Sequence, residues 1–295
     1  MEVKLRSNTD WIQGDKFRDM AKYTYSPKVK SPRDDYDNLP NTLNLSTFND
    51  GDTIYTHIMY VNQLFDIMKW IGKKFILISH NCDCSIEDYG IRRPDGKGDV
   101  HDIFEFELPD NLIKWYSKNV NTINFRIESI PIGVENAMWH KKIPKLEIMC
   151  HQTKKFKGCY NLAYINHSIK TNASKRKVLY DMFKNEKWVT AVYGGNFKQF
   201  ERYMDQLYNH KFVFSPEGNG MDTIRTWECL YMGTIPIEKR NLNNRFYTDL
   251  PICFVDEWDE VTEEFLYKEY NRIKVEKWNM KKLQFKYWKD KILAT

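Results

Sequence analysis

The chain has 295 residues, of which 42% are hydrophobic and 15% aromatic, a composition that supports a folded core and excludes global disorder. Its 45 basic and 40 acidic residues give a net charge of only +5 without a long basic block, which argues against a nucleic-acid-binding protein. No apolar run is long enough to cross a membrane, and the N-terminal residues lack the apolar core of a signal peptide, so a cytoplasmic location is expected.

The first half of the chain predicts strands that alternate with helices. Residues 52–58 (DTIYTHI) form a strand candidate, and residues 62–72 carry apolar side chains at helical spacing with a closing glycine. Residues 74–79 (KFILIS) form a continuous apolar run, which is typical of a strand buried on both faces. We interpret residues 111–120 (NLIKWYSKNV) as a helix and residues 125–136 as a strand that runs into a loop.

The second half repeats this alternation and ends in a helical tail. The amphipathic segment 174–185 predicts a helix with Ser174 as its N-cap, and 197–210 predicts a second helix. The tail, residues 260–294, is mostly helical in pattern and rich in Trp, Tyr and Lys. Strands are predicted at 158–166, 188–196, 211–215, 234–237 and 251–256.

This alternation predicts an α/β protein with parallel sheets. Because two such series are separated by a basic segment near residues 140–157, we expect two Rossmann-like lobes with a cleft between them. Ligands of such sheets bind beyond the carboxyl ends of the strands, so the cleft is the expected ligand site.

One stretch, SPEGNGMDTIRTWE (215–228), combines a turn, a helix start and a charge pair. Its two glycines permit a tight turn, and Asp222 is the expected cap of the helix that follows, which ends at Gly233. Arg225 then lies in the first helical turn, where the helix dipole is already positive. An anion bound there would remove this conflict, and a diphosphate fits the arrangement.

Glu228 lies one turn further along the same helix face, where its carboxylate can accept hydrogen bonds from two ribose hydroxyls. The order turn, cap, Arg and Glu is therefore consistent with a nucleotide-diphosphate site. A solvent-facing Arg225–Glu228 pair at i, i+3 explains the same spacing, and the spacing alone leaves both interpretations open.

The sequence resembles the exostosin-like glycosyltransferases, especially the short forms of large DNA viruses and some bacteria, including chlorovirus-type β-xylosyltransferases; a looser likeness extends to α1,3-fucosyltransferases. The likeness covers residues 52–256 with gaps. The motifs that carry it are SPEGNGMDTIRTWECLYMGTIPI (215–237), FILISHNCD (75–83), KWYSKNV (114–120), IPIGVEN (130–136), the run NLAYINHSIKTNASKRK (161–177) and WVT (188–190).

The resemblance implies a GT-B fold with three parts. These are an N-terminal acceptor-binding lobe (1–150), a C-terminal nucleotide-sugar-binding lobe (151–265) and a C-terminal helix (266–295) that crosses back onto the N-terminal lobe. Aromatic side chains would make the contacts of this helix, and residues 278, 285 and 288 share one helical face. The aromatic residues are Trp278, Phe285, Tyr287 and Trp288.

The resemblance also implies roles for individual residues in the donor site. Arg225 would bind the diphosphate and Glu228 the ribose. The turn would line the pocket for the nucleobase and the phosphates. The TNASKRK segment would supply a second phosphate contact. For Arg176 the alternative is an ordinary exposed residue on the helix surface. The turn residues are Ser215, Glu217, Gly218 and Asn219, and the second contact is Asn172 with Arg176.

The expected activity is inverting transfer of a sugar, with xylose as the first choice, from a UDP-sugar to a glycan acceptor. No cofactor is expected beyond the nucleotide-sugar donor. We expect neither a nucleic-acid partner nor a membrane span. If the protein is viral, it is expected to act in the cytoplasm of the host cell. The alternatives are a GDP-fucose-dependent fucosyltransferase and a catalytically inactive sugar- or nucleotide-binding module. The absence of a membrane anchor and of a second catalytic module departs from the cellular exostosins and argues against a glycosaminoglycan substrate.

An inverting enzyme needs a general base for the acceptor hydroxyl. The motif ISHNCD places Asp83, our first choice, and His80, our second, just past the end of a buried strand. A turn aspartate bonded to its own backbone is the alternative for Asp83. Glu135, which we also place among the substrate-binding residues, and His57 follow other strand ends and remain alternatives.

No metal site is predicted. A helix N-terminus and arginines can neutralise a leaving diphosphate without a metal ion. The string DDYD (34–37) is the nearest match to a metal-binding DxD motif, but a solvated acidic loop explains it better. His80, Cys82, Cys84 and His101 match no common zinc spacing, and the six cysteines follow no disulfide framework, which predicts reduced thiols.

Overall fold

The computed structural model describes residues 10–27, 40–87, 108–136, 149, 161–193 and 200–295. The chain divides into two compact units. The N-unit comprises Gln13–Ile132 and Lys286–Thr295, and the C-unit comprises Met1–Ile12 and Gly133–Phe285. The change of unit thus falls between residues 132 and 133, whereas the sequence places the lobe boundary near residue 150.

The N-unit contains a sheet of five parallel strands in the order β1-β2-β3-β4-β5. The apolar run of β3 is buried at every position, as expected for a strand covered on both faces. The strands are β1 Tyr23–Tyr25, β2 Asp52–Thr56, β3 Phe75–Ser79, β4 Leu112–Ser117 and β5 Ile127–Ser129, and the helices are α1 Gly14–Met20, α2 Val61–Met68 and a 3₁₀ turn at Ile58–Tyr60.

The prediction of a helix at 111–120 is wrong, because this segment contains β4. The strand lies between β3 and β5, and the indole Nε1 of Trp115 donates a hydrogen bond to Ser79 Oγ on β3 at 2.8 Å. Short apolar runs do not distinguish a buried strand from a helix by periodicity. The aromatic residues Trp115 and Tyr116 favour the strand, and their partners on β3 supply the tertiary contacts that decide it.

The C-unit also contains five parallel strands, in the order β7-β6-β8-β9-β10. The strands are β6 Asn161–His167, β7 Val189–Tyr193, β8 His210–Phe214, β9 Ile235–Lys239 and β10 Cys253–Val255. The helices are α3 Ala173–Phe183, α4 Phe200–Asn209, α5 Ile224–Tyr231 and α6 Glu263–Val275, with 3₁₀ turns at Ile169–Thr171, Asn244–Tyr247, Trp258–Glu260 and Met280–Leu283. This unit therefore has the 2-1-3-4-5 order of doubly wound sheets.

The apolar core of the C-unit lies between this sheet and its helices. Leu179 of α3 and Leu266 and Ile273 of α6 pack with strand residues in one buried cluster. The strand members are Leu162, Ala163, Ile165, Phe212, Phe214, Ile235, Ile237, Cys253 and Val255. Packing in this core holds the strands in position. The candidate site lies at their carboxyl ends.

The last helix, α7 Phe285–Leu293, begins at the boundary between the units. Within the N-unit, Lys291 forms an ion pair with Glu128 of β5, and the hydroxyls of Thr295 and Tyr116 are 2.6 Å apart. The prediction that residues 278, 285 and 288 share one helical face is wrong, because Trp278 lies between α6 and α7 and packs against the core of the C-unit. Trp288, in α7, is buried. None of the described helices is both long and apolar enough to span a bilayer.

Candidate functional site

The strand order of the C-unit reverses between β6 and β8, and the loops that follow these strands meet there. Strand β6 is central: it pairs with β7 on one side and with β8 on the other. In doubly wound sheets, a crevice forms beyond the carboxyl ends of the strands at such a switch point, and ligands bind in it. Residues 168–172 after β6 and 215–220 after β8 flank this position.

The glycine turn after β8 is held by the start of α3. Asn172 Nδ2 donates to the Gly218 carbonyl at 2.9 Å, and the Gly218 amide donates to the Gly220 carbonyl at 3.0 Å. Asn172 is also the N-cap of α3, where its side chain accepts a hydrogen bond from the Lys175 amide at 3.4 Å. The prediction that Ser174 caps this helix is therefore wrong; Ser174 donates to the Asn172 side chain instead.

Arg176 is buried and braces both loops of the switch point. Its guanidinium donates to the carbonyls of Glu217 at 2.9 Å, Ser168 at 3.0 Å and Pro216 at 3.3 Å. A Cβ on Gly218 would lie 2.9 Å from Nη2 of Arg176, so the glycine lets the turn approach the guanidinium closely. Arg176, expected from the sequence to contact phosphate, thus uses three of its five N–H groups to hold the two loops, two of them on the turn.

The switch point has an excess of positive charge. Burial, and then the neighbouring Arg225, lowers the pKa of the Arg176 guanidinium to about 10. Burial and the same two arginines lower the pKa of His167 to about 4, against a raising effect of its bond to the Arg176 carbonyl. No carboxylate in the described ranges forms an ion pair with Arg176 or Arg225. Because unpaired charge near the protein interior is costly, this region favours a bound anion.

Arg225 and Glu228 are connected through Tyr203 of α4. The guanidinium of Arg225 donates to the Tyr203 hydroxyl at 3.2 Å and lies over its ring, 5.2 Å from the centroid. The same hydroxyl donates to Glu228 Oε2 at 2.9 Å. Burial raises the pKa of Tyr203 well above its ordinary value, so the hydroxyl keeps its proton. The simple solvent-facing Arg225–Glu228 pair is not present, and Glu228 is buried.

The start of α5 differs from its predicted form. Thr223 occupies the N-cap position, and Asp222 instead accepts a hydrogen bond from Trp227 Nε1 at 2.8 Å. The prediction that Asp222 caps the helix is therefore wrong. Gly233 follows the helix with φ of +67°, as the predicted C-terminal glycine requires.

Ser215 is buried at the end of β8 and joins the hydroxyl cluster that fixes α5. Its Oγ lies 2.8 Å from Thr223 Oγ1 and 2.9 Å from Thr226 Oγ1. Thr226 also donates to Glu238 of β9, and Asn244 Nδ2 donates to the other oxygen of that carboxyl group at 3.2 Å. The cluster ties the switch-point strand to the next strand through α5.

A cavity of about 390 Å³ opens beside this cluster. Glu238 lines this cavity. Burial raises the pKa of its carboxyl group to about 8, so the group is largely protonated at neutral pH. Of the turn residues predicted to line the nucleotide-sugar site, Ser215 and Glu217 line the cavity, whereas Asn219 is exposed. The other lining residues are Ser174, Lys175, Val178, Pro216, Met221, Lys239, Arg240, Asn241, Glu257 and Trp258.

The sequence missed Glu238 and Asn241 because neither belongs to a motif. Glu238 occupies a strand position, and only the packing of α5 on β9 shows that it is buried. Asn241 Nδ2 donates to Glu217 Oε1 at 3.1 Å, and Lys175 pairs with the other carboxylate oxygen. Both partners come from outside the turn, so no local pattern could reveal them.

The two first-choice base candidates follow β3 in the N-unit. His80 is buried: its Nδ1 accepts from the Asn81 amide at 2.8 Å and its Nε2 donates to the Pro131 carbonyl at 3.0 Å. Burial and the charge of Lys118 lower the pKa of His80 to about 4. The side chain of Asp83 is 57% exposed, and its Oδ1 lies 3.4 Å from Lys118 Nζ. The Asp83 carboxylate is therefore more accessible than the His80 imidazole.

The remaining base candidates follow other strands, and His57 lies in the same unit as His80, because Thr56 of β2 pairs with Ser79 of β3. His57 accepts a hydrogen bond from the Met59 amide at 3.4 Å and caps a 3₁₀ turn. Glu135 is half-buried in the C-unit, directly after Val134, whose amide donates to the Ile12 carbonyl at 2.9 Å. The structure therefore places His57, His80 and Asp83 in the N-unit and Glu135 in the C-unit.

A further carboxylate, Asp15, which no sequence motif indicates, lies near His80. Asp15 Oδ1 accepts from Arg18 at 2.9 Å and from Asn81 Nδ2 at 3.4 Å, and burial raises its pKa. Asn81 adopts a positive φ of 62°, which turns the chain sharply after His80. Asp15 is 65 positions from His80 in sequence, and no motif links them.

Across the part of the chain that the structure describes, no three His, Cys, Asp or Glu side chains are grouped to bind a metal ion. Cys82 and Cys84 are not joined in a disulfide, and the Cys84 amide donates a hydrogen bond to Cys82 Sγ at 3.3 Å. The DDYD segment (34–37) and His101 lie outside the described residues.

The chain matches no known family model, and no curated protein matches it. The likeness to exostosin-like glycosyltransferases therefore rests on the sequence motifs themselves. The geometry at the switch point is an independent observation, because it depends on contacts between segments that the motifs do not relate.

Proposed function

We propose that the protein is an inverting glycosyltransferase of GT-B type that transfers a sugar from a UDP-sugar, with xylose as the first choice, to a glycan acceptor. The observation that carries the proposal is the pair Arg176 and Arg225 at the switch point of the C-unit, without a carboxylate ion-pair partner among the described residues. A nucleoside diphosphate would supply the missing negative charge at the position where doubly wound sheets bind ligands.

In this proposal, the C-unit binds the donor. Arg225 contacts the diphosphate, and Arg176 holds the glycine turn in place while adding to the positive field. Glu228 accepts hydrogen bonds from the ribose hydroxyls. The cavity beside Ser215 and Glu217 is large enough for a nucleobase. As the glycosidic bond to phosphate breaks, the arginines stabilise the charge that develops on the leaving UDP.

The N-unit supplies the general base in the same proposal. Asp83 is preferred to His80, because its carboxylate is accessible whereas both ring nitrogens of His80 are engaged. Asp83 would take the proton of the acceptor hydroxyl as the oxygen attacks the anomeric carbon and UDP leaves with the bonding electrons. Attack opposite the leaving group inverts the anomeric configuration.

A ligand panel tests the proposal. Thermal unfolding would be measured with pyrophosphate, UDP, GDP, UDP-xylose, UDP-glucose and GDP-fucose, because ligands that bind only the folded state raise its stability. We expect the uridine ligands to produce the largest shifts. Release of UDP from UDP-xylose, alone and with xylose or oligosaccharide acceptors, then measures turnover.

Three outcomes would reject parts of the proposal. Larger increases in unfolding temperature with GDP and GDP-fucose would indicate that the donor is GDP-fucose and not a UDP-sugar. Binding without release of UDP under any acceptor condition would indicate a binding module. No shift with any nucleotide would reject the donor site itself.

A further inference from the structure

Two thiols flank Asp83 in the loop that follows β3. The chain bends at Asp83, and the amide of Cys84 donates a hydrogen bond to Cys82 Sγ at 3.3 Å, so the first sulfur folds back over the second cysteine. Both cysteines are partly exposed, whereas Cys229 and Cys253 are buried. A small oxidant in solution therefore reaches this pair more easily than the two buried thiols.

The two thiol groups also form a hydrogen bond with each other. This bond is the first cause that raises the pKa of the Cys82 thiol, followed by burial, so Cys82 keeps its proton and donates it to the Cys84 sulfur. The charge of Lys118 acts on Cys82 in the opposite direction. Two sulfurs in hydrogen-bond contact near a cation have the arrangement in which one thiol reacts first and its neighbour resolves the product.

Asp83 itself is held by the neighbouring loop, which follows β4. Lys118 Nζ donates to Asp83 Oδ1 at 3.4 Å, and Asn119 Nδ2 donates to the Asp83 carbonyl at 3.1 Å. Lys118 and Asn119 are both buried, and Asn119 has φ of +56°, which turns the chain sharply after Lys118. The position of the Asp83 carboxylate therefore depends on the conformation of the bend between the two cysteines.

We propose that Cys82 and Cys84 form a reversible disulfide that moves the Asp83 carboxylate away from Lys118. A bridge across a single residue requires the backbone at Asp83 to turn until the two Cβ atoms approach each other. Strained and exposed disulfides are readily reduced, and they are the ones that act in regulation. Where it concerns Asp83 as the base, the inference rests on the proposed function: oxidation would stop proton abstraction from the acceptor and leave donor binding in the C-unit unchanged.

The oxidant in this proposal is a hydroperoxide such as hydrogen peroxide. The Cys84 thiolate attacks one peroxide oxygen and the O–O bond breaks, which leaves a sulfenic acid on Cys84; the released hydroxide recovers the proton that Cys84 had lost and becomes water. The Cys82 sulfur then attacks the Cys84 sulfur, the S–O bond breaks, and a second water leaves with the Cys82 proton. Two thiols thus lose two electrons and two protons, and one peroxide is reduced to two waters.

Mass spectrometry of the full-length protein after peroxide treatment tests the disulfide. Both cysteines lie in the tryptic peptide 75–92, so a bond between them lowers its mass by two hydrogen atoms and protects both sulfurs from alkylation. We expect this change in the parent and its reversal by dithiothreitol. Cys82→Ser should instead accumulate a sulfenic acid on Cys84 that dimedone traps. Cys253→Ala, which removes a buried thiol of β10, is the matched control and should form the disulfide as the parent does.

Release of UDP from UDP-xylose in the presence of acceptor measures the consequence for Asp83. Oxidation should slow transfer by the parent at least about tenfold, as loss of a general base does, and dithiothreitol should restore it. The dissociation constant of UDP should not change. Cys84→Ser should keep its rate after peroxide treatment; a loss of rate that this variant shares with the parent would come from another oxidised residue and would overturn the switch.

The remaining outcomes separate the disulfide from the proposed function. A peptide 75–92 that stays reduced, or a cysteine of it joined to another thiol, would overturn the disulfide, and a disulfide that leaves transfer unchanged would overturn the displacement of Asp83. If the parent transfers no sugar from any nucleotide donor, the proposed function fails, and the peptide mass still decides the disulfide. Acetylation of Lys118 by acetic anhydride then decides the displacement: it should increase on oxidation, because the buried amine loses its cover, and an unchanged extent would reject it.

Discussion

Arg225 and Glu228 lie three positions apart on α5, yet the Tyr203 hydroxyl connects them instead of a direct ion pair. The guanidinium of Arg225 is therefore held by a hydroxyl group and not by a direct carboxylate contact. A direct salt bridge would have reduced the attraction of an external anion. The arrangement fixes the guanidinium in place without neutralising it, which is what an anion-binding residue requires.

The first prediction follows from this arrangement. Arg225→Ala should weaken UDP binding by about 10-fold to 100-fold, the effect expected when a charge-assisted hydrogen bond to phosphate is lost. Glu228→Gln should weaken it less, because an amide still interacts with hydroxyl groups. Calorimetric titration of UDP measures both.

The matched control for this prediction is Arg272→Ala, which removes the same charge from an exposed position on α6 where Arg272 pairs with Glu269. Its UDP affinity should equal that of the parent. Parental affinity in Arg225→Ala would show that the phosphate contact is assigned to the wrong residue.

The second prediction concerns Gly218. An alanine Cβ would lie 2.9 Å from Arg176 Nη2, and the buried guanidinium is held by three carbonyls, so it cannot move without losing them. Gly218→Ala should cost about 1–3 kcal/mol of unfolding free energy, as overpacking does. It should also weaken UDP binding, because the turn moves.

A control separates binding from stability in this case. Gly72 has φ of +66° and open space around it, so Gly72→Ala destabilises through backbone strain in the N-unit. It should unfold more easily and bind UDP like the parent. If Gly218→Ala shows the same behaviour as Gly72→Ala, the turn does not contribute to the ligand site.

The third prediction uses the buried Glu238. Its pKa is raised to about 8 in the folded protein from an ordinary value of 4.5, so the folded state binds the proton more tightly. The unfolding free energy should therefore decrease as pH rises between these values, by at most about 1.4 kcal/mol per pH unit for one proton. Below pH 4.5 the contribution is constant.

Urea unfolding of the parent and of Glu238→Gln at pH 5, 7 and 9 measures this effect. Since the glutamine does not titrate, the parent should lose stability relative to the variant as pH increases. The difference between the two curves removes the opposite contribution of His80 and His167, whose lowered pKa values make stability rise with pH between about 4 and 6.5. A pH-independent difference would show that Glu238 is ionised in the folded state.

Much of the architecture follows from local sequence patterns. Three predicted features are present: the apolar run of β3, the strand of β6 and the turn-helix unit at 215–233. In each, the hydrophobic periodicity and the turn-forming residues indicate the same structure. The error at β4 has the opposite cause, because a six-residue strand with two aromatics carries no decisive periodicity. Its identity depends on the neighbouring strands.

The site was predicted less completely for a related reason. Motifs identify Arg225 and Glu228, but they cannot show that Tyr203 lies between them. Likewise, Arg176 has the charge that suggests a phosphate contact, whereas its main partners are carbonyls from two loops. Contacts between segments that are distant in sequence decide where these side chains lie.

The fourth prediction concerns metal dependence. Because Arg225 and Arg176 supply positive charge where the leaving diphosphate is proposed to bind, transfer should continue in excess EDTA. UDP release from UDP-xylose would be compared with and without the chelator. Complete loss of activity that Mn²⁺ or Mg²⁺ restores would indicate that a metal ion performs the role assigned to the arginines.

The last prediction distinguishes the two base candidates in the N-unit. Asp83→Asn keeps the shape of the side chain but cannot accept a proton. If Asp83 is the base, donor binding should persist and transfer should fall by about 10²–10⁴-fold. His80→Gln keeps a donor near the position of Nε2 for the Pro131 carbonyl, so any loss of turnover would reflect the missing Nδ1.

The acidic limb of the pH–rate profile cannot separate these cases by itself. The pKa of His80 is lowered to about 4, which is the range of an ordinary carboxylate. The variants must therefore be compared at saturating donor and neutral pH. A large loss in Asp83→Asn with a small loss in His80→Gln identifies the carboxylate; the reverse identifies the imidazole. Near-parental rates in both would exclude both residues and direct the search to Glu135, His57 and the half-buried Asp15, whose pKa is raised.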